Sequence, residues 1–122
     1  MDRDSQLTPL RPQLLTLNDA VNPKCIEAFQ NEVLRPILKF QSPFTLALIK
    51  THPHFSEELV KRENQRVHLT SICKEVRFQN QLIGSIIGLM TILELEVYSQ
   101  NAKEYNKRII SMQIERFLDL LF

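Results

Sequence analysis

The side chains placed to do chemistry in this sequence are mostly amides: Gln30 and Asn31 after Phe29, and Gln79, Asn80 and Gln81 after Phe78. Each group falls beside an apolar stripe of helical period, and a buried amide needs hydrogen-bond partners. One reading bonds them to backbone at helix ends or across the axis of an internal repeat of the two segments. The other gathers Gln30, Asn31, Gln79, Asn80 and His68 around a small polar pocket, since bundles build sites from side chains on facing helices. His52 and His54 flank Pro53 without the i, i+4 spacing of metalloprotease ligands, and no cysteine or carboxylate pair completes a metal set. The sequence predicts no metal site and no cofactor. Glu57 and Glu58 read as acids stabilised at the positive end of a helix. Neither G-x-S-x-G nor a phosphate-cradling glycine loop occurs, so no catalytic residue is assigned.

Gly84 and Gly88 are the only glycines. A spacing of four puts both on one helix face, where a missing side chain lets another backbone come close. The expected role is helix packing within the chain; the other reading is a seam between two copies. The apolar stretch from Phe78 to Met90 that carries them is the expected centre of the fold.

Around it, residues 1–22 hold Pro9, Pro12 and scattered leucines without helical period, which predicts an extended arm lying across the helices or reaching onto a partner subunit. Asn22-Pro23 predicts a helix start, Pro36 a kink near Glu32, and Ser42-Pro43 a second capped start. No proline or glycine interrupts Ser56 to Ile83, which reads as one long helix with a bend near His68 to Ser71. Thr91 with Glu94, and Asn101 with Glu104, have the form of capping boxes. Phe29 to Leu38 aligns with Phe78 to Ile87, which suggests a duplicated helical hairpin or a chance likeness of two amphipathic helices. The expected architecture is all-α, a single-domain bundle of four to five helices over residues 23–122 preceded by the arm.

Composition narrows the function classes. Fifteen basic residues against fourteen acidic give a net charge of +1, and neither sign forms a long run, so nucleic acid is a poor partner. Lys61, Arg62, Arg66, Lys103, Lys107 and Arg108 are interleaved with Glu58, Glu63 and Glu104, the pattern of a solvated face. Cys25 and Cys73 sit in apolar helical patterns, suited to a reducing compartment. The apolar run Leu82 to Leu93 is shorter than the roughly 20 residues that span a bilayer, and Met1-Asp2-Arg3-Asp4 opens no apolar signal segment. A soluble cytoplasmic protein is expected.

Leu10-Arg11-Pro12, Phe29-Gln30-Asn31, Leu34-Arg35-Pro36, Lys39-Phe40-Gln41, Phe78 to Gly88 and Asn106-Lys107-Arg108 resemble a family of small, uncharacterised, all-helical bacterial proteins sometimes called "glyoxalase". The resemblance implies a helical family and no activity. The glyoxalase fold pairs βαβββ units and holds metal on His, Glu and Gln from strands, and the sequence offers neither. The expected function is therefore a non-enzymatic helical interaction or regulatory module that self-associates. The alternative is a small-ligand-binding protein or unrecognised enzyme using the amide pocket.

Overall fold

A computed structural model describes residues 3–7, 9, 26–62 and 64–122, and every element among them is helical. The expected helix start at Asn22-Pro23, the boundary at residues 22 and 23, and Cys25 lie outside the described residues. Within them the arm is not wholly extended: Arg3–Leu7 forms a short helix, α1, with Leu7 buried. Arg3 donates to the carbonyls of Met90 at 2.7 Å and Gly88 at 2.5 Å, and Asp4 accepts from the Ile92 N–H at 3.0 Å. This part of the arm lies on its own subunit.

The first long helix runs without a break through α2 (Ile26–Phe29), a π-helical turn (Gln30–Leu34) and α3 (Arg35–Lys50). Pro36 has no N–H to give, and its ring crowds the carbonyl four residues back. The helix answers by widening: the Arg35 N–H reaches the Gln30 carbonyl, the five-residue step of a π turn. A π bulge thus forms over the stretch where the kink is expected, and such bulges are among the usual sites of helix bending. Ser42 is no cap either, because α3 passes through Pro43; the buried Ser42 hydroxyl donates to the Leu38 carbonyl at 2.9 Å and accepts from Arg116 at 2.9 Å. Pro43 and Lys39 are exposed, so water can take the carbonyl that Pro43 leaves unbonded.

The single long helix expected from Ser56 to Ile83 is cut twice, into α4 (Glu57–Arg62), α5 (Gln65–Lys74) and α6 (Val76–Ile87). At the first cut Asn64 is extended (ψ 102°) and its side chain caps α5 by accepting from the Val67 N–H. At the second, Glu75 is extended (ψ 127°) and its carboxylate meets the buried His52 ring. Tertiary contact overrides local propensity there. The cuts raise the helix number above the expected four to five.

Thr91 and Glu94 do form a capping box, which starts α7 (Ile92–Gln100). Asn101 gives no side-chain cap to α8 (Ala102–Leu121); its N–H goes to the Tyr98 carbonyl at 3.1 Å, and Glu104 pairs with Arg108 at 3.1 Å.

The core is one cluster. α8 packs against α3, α5, α6 and α7, so it shares the centre with α6. Phe29, Ile37, Leu69, Leu82, Ile86, Ile109 and Phe117 are fully buried, each contributing on the order of 1.5–3 kcal/mol by leaving water. Phe29 lies 4.6 Å from the Tyr105 ring, and Tyr98 stacks on Tyr105 at 6.2 Å. Tyr98 also donates its hydroxyl proton to Asn106 at 2.5 Å. The two aligned segments bury equivalent positions: Phe29 and Phe78, Val33 and Leu82, Leu34 and Ile83, Ile37 and Ile86. The likeness stops at Ser42, where the first copy has no capped helix.

Candidate interaction surface

The five amide-pocket residues do not converge. Gln30 accepts from Arg108 at 2.5 Å and so ties the first helix to α8, while Asn31 accepts from Arg35 at 3.3 Å on the same helix. Asn80 is exposed and Gln79 lines a groove between α5 and α8. His68 is half-buried, with Nε2 out of contact with water and without a hydrogen-bond partner among the described residues. The physical reason is the burial of Phe29 and Phe78: with these rings in the core, the amides after them fall on the flanks of separate helices. Of the five, only Gln79 lines one of the grooves described below.

The histidine that the sequence pattern undervalues is His52. Its ring is buried, Nε2 meets Glu75, Nδ1 accepts the His54 N–H at 3.1 Å, and its edge packs on Phe78 at 5.2 Å. Both nitrogens are engaged, so the pair joins the loop after α3 to the junction of α5 and α6 and leaves no free base. No local signal links His52 to Glu75 across so many residues. Cys73 is buried, and burial pushes its thiol up to about 12, away from nucleophilic use. Among the described residues no three His, Cys, Asp or Glu side chains come together as metal ligands. No described helix is long and apolar enough to cross a membrane.

The glycines are on the wrong side for packing inside the chain. Leu82 and Ile86 turn into the core, so Gly84 and Gly88, half a helical turn away, face outward and are exposed. A β-carbon at Gly84 would meet no atom within 4 Å; at Gly88 it would meet the Gly84 carbonyl oxygen at 3.0 Å, within its own helix end. What the missing side chains create is an open groove of about 450 Å³ between α3 and α6, walled by Phe44, Leu48 and Leu89. Gln41 fastens its floor by donating to the Ser85 carbonyl at 2.9 Å. Phe44 is 55% exposed and Phe40, one turn before it, 44%. The chain leaves the groove at Leu89 and directly presents Ile92 and Leu93, both more than half exposed.

Further grooves flank α8, two of them large. The one against α3, about 560 Å³, mixes Arg35, Lys39 and Arg116 with Glu115 and Asp119. The other, against α5, is about 680 Å³ and mainly basic.

No family model, curated protein or solved structure matches the chain, so the resemblance to the helical bacterial family gains no support from these comparisons.

Proposed function

We propose that this chain is a non-enzymatic interaction module that self-associates through the face between α3 and α6. The observation that supports it is Phe44, a large apolar ring left more than half in water beside a groove floored by Gly84. Exposed apolar surface gathered at a groove is the mark of an interaction site. A second copy fits it because one surface offers both the protruding ring and the recess: in a two-fold contact each Phe44 enters the groove beside the partner's Gly84. The glycine then has the role of admitting a neighbour closely, between chains. The engaged nitrogens of His52 and the protonated thiol of Cys73 favour interaction over catalysis. The same reading places the protein in the cytoplasm, where a buried free thiol persists.

Sedimentation velocity tests this. The wild-type chain is expected to be dimeric at high micromolar concentration, and Phe44→Glu or Gly84→Leu to be monomeric with unchanged helical circular dichroism. A monomeric wild type at that concentration refutes the proposal.

A further inference from the structure

The basic groove between α5 and α8 has a use that self-association does not explain. Arg66 and Lys74 face it from α5, and Lys103 and Lys107, one turn apart, face it from α8. Against these four cations stands one acid, Glu115, which pairs with Arg66; that hydrogen bond holds its carboxyl below the usual range, so it stays charged and neutralises that one cation. Lys74, Lys103 and Lys107 form no ion pair or hydrogen bond with any described residue. The groove therefore carries three uncompensated positive charges in a chain whose net charge is only +1. A recess that concentrates one sign of charge raises the local concentration of the opposite ion.

Three neighbouring features suit an anion that is also more than a bare ion. Asn106 spends its carbonyl oxygen on Tyr98, which leaves its amide nitrogen to donate, and Gln79 offers a second amide on the facing side. The 20-residue α8 begins beside Lys103 without a side-chain cap from Asn101, so its positive end adds to the lysines. Between the cations lie Ile110 and Ile114, nearly buried, as an apolar floor. At about 680 Å³ the groove has the size of a small-molecule site.

We propose that this groove binds a small ligand bearing a di- or polyphosphate, held by Lys74, Lys103 and Lys107. Isothermal titration with ADP, inorganic pyrophosphate and adenosine tests it, using the full chain. ADP and pyrophosphate are expected to bind and adenosine not to bind, with affinity falling as salt screens the lysines. Lys103→Gln with Lys107→Gln is expected to weaken binding by about tenfold or more, Lys103→Arg with Lys107→Arg to retain it, and Lys39→Gln in the neighbouring groove to change nothing. Tighter binding of ADP than of pyrophosphate identifies a nucleotide using the isoleucine floor; equal affinity identifies a free polyphosphate anion. Failure of both to bind, or binding that the Lys103→Gln, Lys107→Gln protein keeps unchanged, overturns the proposal. The sedimentation behaviour of that double variant is expected to match wild type, so loss of this site and loss of the self-associating face are read separately.

Discussion

Glu75 carries two properties at once: it interrupts a helix, and it supplies the oxygen that a buried imidazole needs. Removing that oxygen leaves the His52 Nε2–H without its partner in a place water barely reaches, and an unsatisfied buried polar group costs about 1–3 kcal/mol. Glu75→Ala is therefore expected to lower the melting temperature clearly, and Glu75→Gln, which keeps an acceptor, to lower it less; thermal melts of both decide the matter. The glycines make the opposite kind of prediction. Gly84 lies in an exposed helix interior with open space at its β-carbon, so Gly84→Ala is expected to gain up to about 1 kcal/mol from helix propensity and a less flexible unfolded chain. Gly88→Ala is expected to lose stability, because the new methyl presses on the Gly84 carbonyl, which the residue's own N–H holds at 2.9 Å. Melts that move in the same direction would contradict this contrast. At this scale the sequence was a partial guide: the glycine spacing pointed to an open face, but only the phase of Leu82 and Ile86 decides whether that face looks inward. The amides left two readings open for a similar reason, since residue type says what can bond and not which helix flank it occupies.

Among the elements, α3 stores a reversible cost. Pro43 withholds one helical hydrogen bond in the interior of a helix that otherwise continues to Lys50. Pro43→Ala restores the donor to the Lys39 carbonyl at an exposed position where nothing resists it, and is expected to raise the melting temperature. A lower value would mean that proline's restriction of the unfolded chain outweighs the missing bond. Helical class, the α7 capping box and the buried stripe of α6 were legible because each is written in residues a few positions apart. The division of α4, α5 and α6 was not. Asn64 and Glu75 are ordinary helix-compatible residues by position, and the second break depends on a histidine from another part of the chain. Ser42-Pro43 shows the converse: a valid local start signal is overridden when the hydroxyl finds the Leu38 carbonyl and Arg116. Of the basic groove the sequence offers Arg66, Lys103 and Lys107 only as part of a solvated mixed-charge face, since Lys74 joins them only once α5 packs on α8.

For the molecule as a whole, the two proposed faces are separate. Gln79 and Gly84 fall on nearly opposite sides of α6, and contacts that share no partner act additively. Self-association through Phe44 is expected to be insensitive to salt, whereas phosphate binding weakens with it, so one ionic-strength series distinguishes them. The packing of α7 on α8 has an optical consequence. The chain has no tryptophan and two tyrosines, Tyr98 and Tyr105, stacked at that one junction. Intrinsic fluorescence therefore watches a single spot in the molecule, and Tyr98 is bonded there to Asn106, which lines the basic groove. A ligand that draws on the Asn106 amide would alter the emission of Tyr98 without any label, while a partner settling over Phe44 would leave it dark to the event.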